Sequence, residues 1–85
     1  MSGPDVVTIY GRPGCHLCDE ARDRLRELAG DGPGFELREV DIEGDESLHR
    51  RMLESIPVVE VNGEPVCELI LDEGAVLARI GTLSA

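Results

Sequence analysis

The sequence predicts an α/β domain of element order β-α-β-α-β-β-α, and three observations carry that prediction. A β-rich run at Val6, Val7, Ile9 and Tyr10 is broken by the loop signal GRPG. Apolar residues then recur at helical spacing, at Leu17, Ala21, Leu25 and Leu28. A second β-rich stretch, FELREVDI, completes strand, helix and strand, the usual connection between parallel strands, with a right-handed crossover. Near the carboxyl end, VVEV and VCELIL flank the turn NGE, and an Asn-Gly between two β-rich runs signals an antiparallel hairpin.

Each element has its own local reason. The first strand is short and β-branched, and the helix after it carries Asp19, Glu20, Arg22, Asp23, Arg24, Arg26 and Glu27 on its polar face, with Glu20 and Arg24 spaced for a helical ion pair. GDGPG stops this helix. In the second strand Phe35, Leu37, Val40 and Ile42 alternate with one slip. Asp45 caps a second helix whose narrow apolar stripe is Leu48, Met52 and Leu53, and Pro57 ends it by disfavouring helix at Ile56. Val59, Val61, Ile70 and Val76 read as core. Asp72 caps a last helix that buries Val76, Leu77 and Ile80.

The 85 residues allow one domain, 1–85, with residues 1–5 and 81–85 expected to be flexible ends, and folding hides only about 60% of the surface of a chain this short. With 41% hydrophobic residues, no Trp, and Tyr10 and Phe35 as its large rings, the core has to be aliphatic. Eighteen acidic residues against eight basic ones give a formal charge of -10, which repels nucleic acid and anionic lipid surfaces. All eight basic residues are arginine. No secretory leader or membrane-crossing apolar run is visible, so a cytoplasmic monomer is the expectation. In that reducing compartment three cysteines do not make a disulfide scaffold; catalytic, metal-binding and buried thiols remain.

Cys15 and Cys18 lie where the first loop gives way to the first helix. Residues three apart on a helix have Cβ atoms about 5–6 Å apart, close to what a disulfide tolerates. A bond closing so short a loop stabilises by only about 2 kcal/mol against about 4 kcal/mol for a fifty-residue loop, so it makes more sense as chemistry than as architecture. At the helix amino end unsatisfied N–H groups and the dipole favour a thiolate at Cys15, the expected nucleophile. Cys18, one turn on, is the expected resolving thiol. His16 when protonated would help the thiolate, and Asp19 and Glu20 would oppose it. A zinc site needs four ligands, and Cys67, His16 and His49 are scattered, so no metal site is expected. Cys67 reads as an inward, inert thiol of the last strand, and His49 as surface.

With these residues in view, the chain resembles the glutaredoxin branch of the thioredoxin-like superfamily. IYGRPGCHLC is similar to that family's strand, basic residue, Pro, small residue and Cys-x-x-Cys, and SIPVVEVNG is similar to its Thr-Val-Pro segment and hairpin. The resemblance runs from Val6 to about Ile80. It implies a four-stranded mixed sheet flanked by helices in a three-layer thioredoxin-like fold, with Pro57 in the cis form facing the cysteines; an ordinary trans helix terminator is the other reading of that proline.

The same resemblance implies a thiol–disulfide oxidoreductase acting on protein or small-molecule disulfides. Cys15 and Cys18 would be catalytic, with Arg12, Gly14, His16, Ile56 and Pro57 around the substrate or thiol. Backbone groups of Ile56 would pair with the substrate, and Arg12 matches the basic position that holds a glutathione carboxylate. No resident cofactor is required, and glutathione or another small thiol would be the reductant. Two features depart from glutathione binders: His16-Leu17 stands between the cysteines in place of Pro-Tyr, and EPVCEL stands where Gly-Gly-x-Asp is usual. Glu64 and Glu68 would repel a tripeptide carboxylate, so a thioredoxin-type reductase is the other candidate reductant. An iron–sulfur carrier and a non-catalytic interaction module are alternative functions on the same fold.

Overall fold

The computed structural model describes residues 5–31 and 35–84, the side chains of 31 and 81–84 apart. Four strands, β1 (Val6–Gly11), β2 (Glu36–Asp41), β3 (Val58–Val61) and β4 (Glu64–Glu68), alternate with three helices, α1 (His16–Asp31), α2 (Glu46–Met52) and α3 (Glu73–Ser84), in the order β-α-β-α-β-β-α. The sheet order is β2-β1-β3-β4. β1 runs parallel to β2, with Val6 opposite Glu36, and antiparallel to β3, with Ile9 opposite Val59. β3 and β4 are antiparallel, with a register shift between Val59 and Glu60. This is the mixed sheet, flanked by helices, that the sequence predicts.

Alternation along β1 sends successive side chains to opposite faces, and two apolar clusters result. Val7 and Ile9 join Ala21 and Leu25 of α1, Val59 and Val61 of β3, and Val76 and Ile80 of α3 in the main core. Side chains of this size, fully buried, each stabilise the fold by about 1.5–3 kcal/mol. Tyr10, on the opposite face, packs with Leu48 and Met52 of α2 against Ile42, Ile56 and Cys18. Ile42 sits in a 3-10 turn, Ile42–Gly44, that carries β2 into α2. That turn resolves the slip in FELREVDI: β2 ends at Asp41, and Ile42 points inward from a tighter backbone.

Short-range chemistry closes the elements. Asp45 accepts from the N–H groups of Ser47 and Leu48 at 2.8 and 3.2 Å, capping α2. Asp72 accepts from Ala75 N at 3.0 Å and caps α3. Asn62 and Gly63 have φ of 52° and 89°, the left-handed pair that a two-residue hairpin needs. Asn62 does more than turn the chain: its side-chain oxygen accepts from Val6 N at 2.9 Å, and its own N–H donates to Val6 O at 2.7 Å. Both sheet edges are guarded, β2 by the Glu36–Arg38 pair and β4 by Pro65, which has no N–H to offer a neighbour.

Several expectations are corrected. Leu17, Leu53 and Ile70 are exposed at 49%, 40% and 72%, not part of the core stripes. On α1 the buried stripe runs instead through Cys18, Ala21 and Leu25, one residue round from Leu17. Leu53 lies past α2 as its C-cap. β4 stops at Glu68 because Leu69 has a φ of 69° and its N–H donates to Ser55 O at 3.0 Å and to Pro57 O at 2.9 Å. Leu69 and Ile70 therefore leave the sheet. Arg24 pairs with Glu27 at 2.9 Å and with Glu73 of α3 at 2.7 Å, not with Glu20. Of the expected loose ends, 1–4 and 85 lie outside the described residues, as do 32–34 of GDGPG. Asp5 is tied, its carbonyl accepting from Glu36 N at 2.8 Å, and α3 continues to Ser84.

Candidate active site

The loop from β1 to α1 places the two cysteines unequally. Gly14, with a φ of 82°, takes a left-handed turn that glycine adopts at no steric cost. Cys15 N then donates to Arg12 O at 3.4 Å, and Cys15 O accepts from Asp19 N at 3.0 Å, so Cys15 occupies the N-cap of α1. Its sulfur completes the cap: Cys15 Sγ accepts from Cys18 N at 3.3 Å, the bond a serine or aspartate oxygen makes at this position. Cys15 is half-buried.

Cys18 is 5% exposed. Burial, foremost, and then the hydrogen bond with Cys15 push its thiol up from 9.0 to about 11, with the charges of Cys15 and Asp19 adding and a backbone hydrogen bond from Arg12 opposing. The two sulfurs thus differ in kind, one open at a helix end and one held protonated behind it. Gly11 makes the arrangement fit. A Cβ on Gly11 would stand 2.9 Å from Cys18 Cβ, closer than real side chains come, and 3.0 Å from its sulfur, a tight contact. This last residue of β1 is a site residue that the sequence reading passed over, and only the hidden approach of α1 to the strand end reveals it.

The segment before β3 closes the other side. The Ile56–Pro57 peptide bond is cis. Ile56 is buried at 7% in the cluster that also holds Cys18, against which Cys15 packs. Its N–H donates to Met52 O at 3.0 Å. Among the described residues its carbonyl has no hydrogen-bond partner. Of the residues expected around a substrate, Arg12 is tied to Cys15 through its backbone, Gly14 turns the chain just before it, and Ile56, joined to Pro57 by the cis bond, shares a cluster with Cys18; His16 stands exposed as the first residue of α1, with no side-chain hydrogen bond among the described residues.

A cleft of about 390 Å³ opens beside Cys18 on the β2 side, lined among others by Arg12, Pro13, Arg22, Glu39 and Asp41. Six of the eight arginines are ion-paired, Arg22 to Asp19 and Asp23, Arg26 to Glu39, and Arg79 to Glu64 among them. Among the described residues only Arg12 and Arg51 form no ion pair. Arg12 lines the cleft, and Arg51 stands on α2, beside Glu46, Ser47 and Arg50, with its charge felt at Tyr10. The Tyr10 hydroxyl is itself pushed up by burial and by its 3.0 Å hydrogen bond to Glu60, with Arg51 opposing. Among the described residues no three His, Cys, Asp or Glu side chains converge to hold a metal ion. No described helix is long and apolar enough to cross a membrane. Cys67 packs on the main core, its sulfur accepting from Asp72 N at 3.4 Å.

A mixed sheet ordered β2-β1-β3-β4, a Cys-x-x-Cys at the first helix and a cis-proline before the third strand define a thioredoxin-like domain. Residues 6–81 match the glutaredoxin-like domain family (DUF836), and the chain belongs to that family. It is 31% identical over 67 residues to a glutaredoxin of Haemophilus influenzae, covering 71% of this chain and 77% of that protein. The solution structure of protein Ne2328 from Nitrosomonas europaea is 33% identical, covers 93% of this chain and 94% of its own, and superposes with a TM-score of 0.77. Reduced Escherichia coli glutaredoxin, at 24% identity and a TM-score of 0.61 over 94% of this chain and 99% of its own, shares the fold.

Proposed function

We propose that the chain is a thiol–disulfide oxidoreductase that reduces protein or small-molecule disulfides through Cys15 and Cys18. The observation that carries this reading is the cap: a half-buried sulfur accepts the Cys18 N–H at 3.3 Å at the mouth of α1, one turn from a buried thiol. In the first step the Cys15 thiolate attacks one sulfur of the substrate disulfide, forming a mixed disulfide and releasing the other sulfur as a thiolate that takes up a proton. Cys18 then loses its proton and attacks Cys15 Sγ, releasing the second substrate thiol and closing the Cys15–Cys18 disulfide. The balance is one substrate disulfide reduced to two thiols for one protein dithiol oxidised. Two electrons from a reducing thiol such as glutathione, or from a thioredoxin-type reductase, restore the dithiol.

The buried Cys18 suits the second role, because a thiol held protonated does not compete with Cys15 for substrate yet lies close enough to displace it. Arg12, which lines the cleft beside Cys18, supplies a cation for a carboxylate of a small thiol.

A redox titration of purified protein tests the reading. A two-electron midpoint between about -270 and about -200 mV, lost in Cys15→Ser, is the expected result. Cys18→Ser should accumulate the mixed disulfide on Cys15. An alkylation-resistant Cys15, or a pair that never closes, would overturn the assignment. Colourless anaerobic protein and loss of function in Cys15→Ser separate it from an iron–sulfur carrier and from a binding module.

A further inference from the structure

We propose that Asn62, at the tip of the β3–β4 hairpin, is a self-modification site whose side-chain amide is converted to a carboxylate through attack by the next peptide nitrogen. The hydrogen bonds that tie Asn62 to the start of β1 set the rate. This proposal is independent of the thiol–disulfide reading. Asn62 carries the only side-chain amide of the 85 residues, since the chain has no glutamine and no other asparagine. It is exposed, and Gly63 follows it. A glycine puts no side chain in the way of its own nitrogen, so the cyclic imide closes more readily ahead of Gly63 than ahead of a bulkier residue.

The step balances with water as its co-reactant. Gly63 N gives up its proton to solvent and bonds to Asn62 Cγ, and the Cγ–Nδ2 bond breaks to release ammonia. Water then opens the imide at either carbonyl, leaving aspartate or isoaspartate, with no change of oxidation state. The nucleophile is open: among the described residues the Gly63 N–H donates to no acceptor, and no atom beyond its chain neighbours lies within 4 Å of where a Cβ would stand. The amide it attacks is held. Asn62 Oδ1 accepts from Val6 N at 2.9 Å, and Nδ2 donates to Asp5 Oδ1 at 3.3 Å. Attack makes Cγ tetrahedral and takes Nδ2 away, so the bond to Asp5 has to break and the bond from Val6 has to re-aim.

The product changes what holds the first strand. An aspartate at 62 sets a carboxylate against that of Asp5, where the amide nitrogen had donated, and like charges at that distance oppose each other. An isoaspartate routes the main chain through the former side chain and adds a backbone carbon to a two-residue turn. Turn length fixes hairpin register, so the longer turn pulls on the Val61–Glu64 pair and on the 2.7 Å bond from Asn62 N to Val6 O. Either way the tie between the hairpin tip and β1 is weakened.

The whole chain tests the site, kept reduced in mildly alkaline buffer, folded in one arm and unfolded by urea in the other. Ammonia release and the mass gain of the tryptic fragment 52–79 are the readouts, and both report on Asn62 because no other side-chain amide exists. The folded chain is expected to convert about twentyfold more slowly than the unfolded one, the weight of two hydrogen bonds. Asp5→Ala should speed the folded chain about fivefold, the weight of one, and leave the unfolded rate unchanged. Asn62→Asp should lower the urea midpoint, and the isoaspartate form, separated by ion exchange, should lower it further. A folded chain that stays intact while the unfolded one converts fully, equal rates in the two arms, or an Asp5→Ala rate equal to the parent's would overturn the proposal. An isoaspartate form that unfolds at the parent's midpoint would overturn the consequence drawn for β1.

Discussion

Gly11 and Cys18 meet where no methyl group fits, and this contact sets how the resolving thiol is held. In Gly11→Ala the new Cβ would stand 2.9 Å from a carbon of the buried α1 side chain, so α1 or the strand end must shift. Overpacking of this kind costs about 1–3 kcal/mol. The expected result is a lower urea midpoint together with a longer-lived mixed disulfide on Cys15, since the displaced Cys18 sulfur resolves it more slowly. An unchanged lifetime would mean that Cys18 tolerates the shift.

Cys18 also predicts a pH dependence. Its thiol is raised from 9.0 to about 11 in the folded protein, so between those values the unfolded chain has lost a proton that the folded one keeps. Folding stability attributable to this group is fully present below about pH 9 and falls as the pH climbs towards about 11. Tyr10, raised from 10.0, acts in the same sense above its ordinary range. Urea unfolding across that window should show the decline, and Cys18→Ser should flatten the part that begins near pH 9.

At the scale of elements, α2 is the weakest link in the site. It has seven residues, none of them buried, and depends on the Asp45 cap and on Leu48 and Met52 resting against the smaller cluster. Yet it sets the approach to the cis-proline segment, because Ile56 N donates to Met52 O. Asp45→Ala should cost about 1 kcal/mol. Amide exchange should rise across Ser47 to Ile56, leaving the α1 amides protected. By contrast α1 is anchored by Leu25 in the main core and tied outward by Arg26 to Glu39 and Arg24 to Glu73. These exposed pairs orient the helices more than they stabilise them. The cysteine-bearing end of α1 buries Cys18 and leaves Cys15 half-buried.

For the whole molecule, the charge of -10 acts on encounter more than on fold. A long-range negative field slows the approach of an anionic disulfide, and salt screens it, the Debye length shrinking from about 30 Å at 0.01 M to about 8 Å at 0.15 M. Exchange with oxidised glutathione should therefore speed up over that range, and exchange with neutral bis(2-hydroxyethyl) disulfide should not. A slower reaction with salt would mean that Arg12 outweighs the global charge at the site.

The element order, the hairpin at Asn62-Gly63, the caps at Asp45 and Asp72, and the Cys15–Cys18 pair at a helix start were all legible in the residues. Each is a matter of periodicity, turn chemistry or capping within a few positions of the chain. Tertiary structure alone decided that Leu17, Leu69 and Ile70 face outward, that Gly11 must lack a side chain, that Arg12 and Arg51 form no ion pair among the described residues, and that Cys18 is held protonated. These depend on groups far apart in sequence being brought together, such as Leu69 N on Pro57 O or Arg24 on Glu73, and no local pattern encodes which of two apolar neighbours turns inward.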